Sequence, residues 1–404
     1  MTVPDLPPRT VTLVLCTRGG DLLGVLPSYE VAVPWWQEAG PVVAVARQRF
    51  GVEVTVLRLL EARSGWGTAG GAVTYLAEVA APASVALATW TGADPLADHP
   101  LRLSYARPGG PAADVAWAEA VLEAAGRPST APAVQVRTWN LSSIWRLPTA
   151  GGTAWLKVVP PFFAHEGAML QRLDPLVVPP LIAAEGPRVL LDDVPGEDHY
   201  GAELPVLTRI VALLVGLQTQ WAGRVGELED IGAPDWRCQP FAEAVARLLD
   251  VAGSALDSHE RARLRDLVDA LPARFAALAE CGIPDSLVHG DFHPGNTHGS
   301  PTPDGRIVLL DWGDCGIGHP LLDQAAALAS IPPEQRGPLR EHWARLWRAT
   351  VPGSDPHRAA ELLAPIRALR QALVYRTFLD GIEPDEHVYH SGDPARWLRE
   401  AAAT

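Results

Sequence analysis

Three side chains toward the end of the chain, Asp291, Asn296 and Asp311, have the types and spacing that phosphoryl transfer needs. Asp291 and Asn296 lie in His289-Gly290-Asp291-Phe292-His293-Pro294-Gly295-Asn296. Their separation is that of the H-R-D-x-x-x-x-N loop of kinases, where the Asp accepts the proton of the acceptor hydroxyl and the Asn oxygen holds magnesium. Asp311 follows the apolar run Ile307-Val308-Leu309-Leu310, which reads as a buried strand that delivers a carboxylate at its C-terminal end. Magnesium prefers oxygen ligands and keeps several waters. One carboxylate and one amide oxygen, completed by nucleotide phosphates, are therefore a sufficient protein contribution.

Such chemistry requires elements upstream that hold a nucleotide. Thr153 to Val159 reads as a strand with Lys157 inside an apolar run. A lysine in that setting needs a partner, because burying an unpaired charge costs several kcal/mol. Glu166, which opens the helical pattern His165 to Leu173, is positioned to pair with it, and the nucleotide phosphates would be its ligand. Before this strand, Val134 to Trp139 and Ile144 to Leu147 read as a hairpin around the turn Asn140-Leu141-Ser142-Ser143. The turn lacks a glycine-rich pattern, which leaves Ser142 and Ser143 as candidate phosphate donors. After it, Val189 to Gly196 reads as a strand broken by Pro195 and Gly196. Asp192 and Asp193 are adjacent on that strand and so point to opposite faces, which suits a structural role better than paired acid-base work.

The two motifs, HGDFHPGN and DWGDCGIGHPLLDQA, resemble the signature pair of the aminoglycoside phosphotransferase and choline kinase superfamily, roughly HGDxxxxN and DWxxxxxGxPxxDxA. The resemblance covers about residues 129 to 404 and implies a bilobal, protein-kinase-like α+β fold, with a small β-sheet N-lobe at 129–195 and a mainly helical C-lobe at 196–404. It makes Asp291 the catalytic base, with His289 orienting the loop and Asp323 bracing it. Asn296 and Asp311 become magnesium ligands, Trp312 packs beneath the metal site, and Leu191, Asp193 and Val194 form the hinge around the nucleotide base. The implied cofactors are ATP (or GTP) and Mg2+, and the implied partner is a small molecule bearing a hydroxyl. Acceptors in that family bind against C-terminal helices, often against carboxylates, so Glu383, Asp385 and Glu386 are candidate substrate ligands.

Residues 1–113 fall outside this resemblance. Strand-like runs at Val11–Cys16, Leu22–Leu26, Val52–Leu57 and Val73–Val79, with a helix from Gln37 to Phe50 ended by Gly51, are similar to a Nudix domain. A Nudix box reads G-x5-E-x7-R-E-U-x-E-E-x-G-U and ligates magnesium through consecutive glutamates. With its last glycine at Gly51, the E-E positions hold Gln48 and Arg49, and the R-E positions hold Ala44 and Val45. The expectation is a small α/β module without catalysis of its own that docks, dimerises or helps form the substrate site. An alanine-rich helical stretch within 114–128 would link it to the lobes.

The chain's 404 residues suit two or three domains, and its net charge of −14 repels nucleic acid and anionic lipid and slightly favours an amine-bearing acceptor. Four scattered cysteines, Cys16, Cys238, Cys281 and Cys315, form neither a zinc motif nor a disulfide framework. The first residues, Met1 to Leu6, lack the basic and apolar regions of a signal peptide, and no uninterrupted apolar run reaches membrane-spanning length. A cytoplasmic small-molecule kinase, antibiotic-directed or metabolic, is expected, with a homodimer left open. The alternative is a regulatory pseudokinase that binds ATP and recruits a partner through its N-terminal module.

Overall fold

The computed structural model describes residues 6–404 except 66, 82–84 and 253–254. Met1 to Asp5, where a leader was sought in the sequence, lie outside the described residues. The N-terminal domain is a four-stranded sheet, β1 (Arg9–Thr17), β2 (Leu22–Val31), β3 (Val54–Arg63) and β4 (Gly71–Val79), in the order β2-β1-β4-β3. β1 and β4 are parallel and the other pairs antiparallel. Alternation along β1 sends Val11, Leu13 and Leu15 into the core shared with α1 (Ala39–Phe50), and sends Val14 and Cys16 to a second core on the opposite face. Gly51 ends α1 in the left-handed region at φ 67, its N–H bonded to the Arg47 carbonyl.

The stretch expected to be a linker is the helix α2 (Gly110–Ala124), and it is not free. Ala118 and Leu122 are buried against Trp145, Leu147, Leu156 and Leu190, and buried Asp114 accepts from Arg188 at 2.8 Å. α2 thus covers one face of the N-lobe sheet. That sheet contains β5 (Val134–Trp139), β6 (Ser142–Thr149), β7 (Gly152–Val158), β8 (Leu181–Glu185) and β9 (Arg188–Asp192), in the order β5-β6-β7-β9-β8, all antiparallel. The short helix α3 (His165–Leu170) follows β7. Gly196, at φ 139, then brings the chain onto the backbone of Gly299, so close that a Cβ would stand 2.3 Å from it, and β10 (Glu197–Asp198) opens the C-lobe.

The C-lobe carries the helices α4 (Leu204–Trp221), α5 (Val225–Asp230), α6 (Cys238–Ala252), α7 (Ser258–Glu280), α8 (Gln324–Ala329), α9 (Pro333–Thr350), α10 (Pro356–Gly381) and α11 (Asp393–Ala403). α4 is long and apolar enough to cross a membrane by length and composition alone, but its Leu207, Ile210, Val211 and Leu214 are buried in the C-lobe core. Asp257 caps α7 in a reciprocal capping box with Glu260. Four short strands hold the loops between these helices. β11 (Ser286–Val288) pairs with β14 (Gly316–Gly318), and β12 (Thr297–Gly299) pairs with β10 and with β13 (Ile307–Leu309).

A clasp of ion pairs joins the N-terminal domain to the C-terminal end of α10. Buried Glu383 accepts from Arg102 at 2.8 Å and lies 3.6 Å from Arg58, which also reaches Asp385 at 3.1 Å. Glu386 is buried beside them, and burial pushes its carboxyl up to about 8. The three carboxylates expected to bind an acceptor are therefore spent on the domain interface, a correction the sequence could not supply because both arginines come from more than 280 residues upstream. Glu383→Ala strands the buried Arg102 guanidinium, leaves Arg58 with Asp385 alone, and should cost about 3–5 kcal/mol of stability, read by chemical denaturation. Unchanged stability with weakened acceptor binding would reverse the assignment.

Candidate active site

β11 and β14 are antiparallel neighbours, as are β12 and β13. The loop from β11 to β12 therefore lies beside the loop from β13 to β14, which brings Asp291 and Asn296 against Asp311 and Asp314. The Asn296 amide donates to the Asp291 carbonyl at 2.8 Å and to Asp291 Oδ2 at 3.0 Å, and the Leu310 N–H donates to the Asn296 carbonyl at 2.8 Å. Asp291 stays half-exposed. Burial alone would raise its pKa, but the His293 imidazole, 3.6 Å away, and the Asn296 amide hold it below the ordinary carboxylate value.

Beneath this loop, polar groups are bonded inward. Asp323, from the turn Pro320–Asp323, accepts from the His289 and Gly290 N–H groups at 2.9 and 2.8 Å and from Gln218 at 2.9 Å. Burial pushes its carboxyl up to about 6 despite those donors. The fully buried His289 ring packs 4.5 Å from Trp312 and bonds the Leu310 carbonyl at 2.9 Å. It steadies the loop from below and does not face the cavity. Gly290 sits at φ 91, where a Cβ would lie 1.9 Å from the Asp314 carbonyl, so the turn admits only glycine. Arg370 donates to the Gly290 carbonyl at 2.9 Å and lies over Trp236.

Lys157 Nζ bonds Glu166 and Asp311, each at 2.7 Å, and Trp312 N–H donates to the same Glu166 oxygen at 3.1 Å. Burial would lower the ammonium's pKa, yet the two carboxylates hold it above the ordinary value. Lys157 is the single lysine of the chain, all other members of the 33 Lys and Arg being arginine. Its compact ammonium reaches both converging carboxylates from one nitrogen, and this compositional exception falls at the same place as the motifs. Asp311 adopts φ 60, and no other described non-glycine residue has positive φ. Such a conformation costs on the order of 1–3 kcal/mol and clusters at functional sites.

No group of three His, Cys, Asp or Glu residues able to hold a metal ion occurs among the described residues. The donor set nevertheless fits a magnesium that arrives with phosphates, since Asp311 is about half-exposed and Asn296 turns its nitrogen toward Asp291, leaving its oxygen for a cation.

These groups border one cavity of about 580 Å³ between the lobes. Leu191, Asp193 and Val194 line its hinge end with Asp192, whose carboxylate pairs with Arg127 at 2.9 Å. Asp193 accepts from the Trp155 indole at 2.7 Å, and its own N–H bonds the Thr153 carbonyl. The hairpin differs from expectation. Its turn is only Asn140-Leu141, and both serines open β6. Alternation leaves Ser142 bordering the cavity and turns the Ser143 hydroxyl into the core, where it accepts from the Trp145 indole at 3.0 Å. Ser143 is thereby removed from the phosphate donors.

Asp314 and a wall from Tyr375, Phe378 and His390 also border the cavity, and sequence reasoning missed them. Asp314 stands inside the quoted motif and could have been found there. The wall had no local signal, because it comes from α10 and the segment after it. Burial, followed by the nearby Asp291 charge, pushes Asp314 up to about 8.

The model of the phosphotransferase enzyme family known as APH matches residues 122–362. No curated protein sequence matches the chain closely enough to count as a relative. Among solved structures, a macrolide 2'-phosphotransferase type I is 18% identical, with TM-score 0.50 over 70% of this chain and 97% of that one. An aminoglycoside phosphotransferase described as putative, from Ralstonia eutropha, is 17% identical, with TM-score 0.47 over 71% and 98%. Choline kinase LicA from Streptococcus pneumoniae is 16% identical, with TM-score 0.45 over 65% and 90%.

Burial lowers the His289 pKa to about 4 from 6.5. As pH falls below 6.5 the unfolded chain takes up a proton first, so the native state loses this contribution progressively down to pH 4, about 3 kcal/mol in all. Thermal unfolding of His289→Asn should therefore depend less steeply on pH across that window than wild type, and parallel slopes would contradict a buried neutral imidazole.

Proposed function

Because the chain belongs to the APH phosphotransferase enzyme family, we propose that it transfers the γ-phosphate of ATP, with magnesium, to a hydroxyl of a small molecule, an antibiotic or an amine-bearing metabolite. The observation that carries this reading is the convergence of Lys157, Asp311, Asn296 and Asp291 on one cavity from three separate elements. Asp291 accepts the proton of the acceptor hydroxyl as its oxygen bonds to the γ-phosphorus and the bond to the β–γ bridging oxygen breaks, releasing ADP. Lys157, held by Glu166, binds the phosphates. Asn296 and Asp311 would hold magnesium, which supplies charge neutralisation on the phosphates. Placement and electrostatics then account for most of the acceleration.

The N-terminal domain resembles a Nudix module in element order, and α1 contains no acidic residue to ligate a metal. Its part in the reaction is mechanical. Buried Gln135 on β5 accepts from the Val56 N–H at 2.9 Å and donates to the Val56 carbonyl at 2.7 Å, Thr138 N–H donates to the Gln37 carbonyl, and Arg137 pairs with Glu38 at 2.6 Å. The domain thus fixes the edge strand of the hairpin that covers the phosphates.

Asp291→Asn should lower kcat about 10²–10⁴-fold while MgATP affinity stays within about two-fold, measured by coupled turnover and by titration calorimetry. Full turnover in that variant would exclude Asp291 as the base, and MgATP binding without transfer by wild type to any acceptor would favour the pseudokinase. An amine-acylating ATP analogue should modify Lys157, protected by MgATP, as read by peptide mass spectrometry. Gln135→Ala leaves both Val56 backbone groups unpaired, at about 1–3 kcal/mol. It should raise the KM for ATP more than it lowers kcat, and an unchanged KM would remove the strut role.

A further inference from the structure

The cavity has two unlike ends. Its hinge end carries Lys157 and the carboxylates that surround it. On the other side of Asp291 the walls are apolar and aromatic, with Leu141 at the hairpin turn, Phe163 after β7, and Val374, Tyr375 and Phe378 on α10. Phe163 and Tyr375 stand 5.4 and 5.6 Å from Phe378, and His390 lies 5.5 Å from Phe378 and 5.6 Å from Tyr375. From His390 the aromatic row continues through Trp139 at 5.8 Å. Such a wall stabilises a ligand by burying apolar surface and offers it few hydrogen bonds.

Charge on this end is equally particular. No lysine or arginine free of a partner borders it among the described residues, since Arg137 is paired with Glu38, and a negatively charged acceptor would find no counter-ion. One carboxylate besides the proposed base is available. Asp314 borders the cavity with the Arg370 and Lys157 charges nearby; burial raises its carboxyl, and an amine placed on it would restore the ionised form. Of the carboxylates a polyamine would require, Glu383 and Asp385 pair with Arg58 and Arg102, and Glu386 is buried beside them.

We propose that the acceptor is an amphiphilic amino alcohol, with an apolar and preferably aromatic body against Tyr375 and Phe378, its hydroxyl at Asp291 and a single amine on Asp314. This rests on the phosphotransferase reading and narrows it. Polycationic sugars have too many charges for one carboxylate, small quaternary alcohols leave the wall unfilled, and acids are repelled. Asp314 then selects the acceptor, and the aromatic wall sets its affinity.

The test uses the full chain with MgATP and four probe sets, namely aryl amino alcohols of the 2-amino-1-phenylethanol type, the same alcohols without the amine, choline, and kanamycin. Transfer to the aryl amino alcohols should exceed the other three sets about ten-fold or more in kcat/KM, as one charge-assisted contact provides. Asp314→Asn should reduce the preference for the amine, read as the ratio of kcat/KM with and without it, to about two-fold. Preference for kanamycin or choline, or an amine preference that survives Asp314→Asn in a variant of unchanged Tm, overturns the proposal. MgATP binding is measured alongside. Binding without transfer to the aryl amino alcohols overturns the acceptor class and leaves phosphoryl transfer to other alcohols standing, whereas loss of MgATP binding by the wild type overturns both.

Discussion

One ammonium shared by two carboxylates ties the lobes together. Lys157 comes from the N-lobe sheet, Glu166 from the helix after it and Asp311 from the loop behind β13 in the C-lobe, and the contact between them closes only when all three elements are in place. Burying these groups unpaired would cost several kcal/mol each, so the arrangement selects one relative placement of the lobes. The two carboxylates differ in kind. Glu166 is buried and also receives the Trp312 N–H, whereas Asp311 is about half-exposed. On the phosphotransferase reading, Glu166 is the permanent partner and Asp311 the exchangeable one, able to turn to a cation when phosphates take its place on the ammonium.

The same division between fixed and available groups runs through the catalytic loop. Asp323 and Arg370 spend hydrogen bonds on the loop's backbone, Gln218 bonds the Asp323 carboxylate and His289 the Leu310 carbonyl, all in burial, and none of those bonds is left for a ligand. Asp291 and the Asn296 oxygen remain toward the cavity. Preorganisation of this sort is expensive in buried polar groups and works only when each finds its partner. The apolar mass of Phe292, Trp312 and Trp343 beneath the loop keeps water from competing for those bonds.

Legibility in the sequence followed the range of the interactions. β1 and α1 announce themselves through apolar periodicity and the end signal Gly51, which are local. Asp291, Asn296 and Asp311 are legible because, on the phosphotransferase reading, catalysis would constrain residue type and spacing within short loops. What the sequence hid depends on contacts across hundreds of residues. Glu383 looked like an exposed carboxylate after a helix until Arg58 and Arg102 arrived beside it, and Ser143 looked like a loop serine until the turn proved two residues shorter. Lys157 was legible because a charge inside an apolar strand needs a partner, and Glu166 stood within reach in the sequence.

The N-terminal domain becomes intelligible through what the hairpin lacks. A glycine-rich phosphate loop makes its contacts with backbone N–H groups and can close over the nucleotide because glycine leaves it mobile. Here the turn is Asn140-Leu141 between two regular strands, with no glycine to lend it reach. A stiff hairpin must be held where it is needed, and an edge strand alone cannot do that, since β5 has only β6 as its partner within the sheet. Gln135, Arg137 and Thr138 supply the missing second side by bonding to the N-terminal domain, with Tyr105 donating to the Trp139 carbonyl at 2.9 Å. Tyr389 extends the same logic to the opposite wall, since it packs in the core of that domain while the adjacent His390 borders the cavity. A domain with no metal-binding glutamates on its helix thus has a physical reason to be retained: it fixes both walls of a cleft whose own loops are too short to find each other.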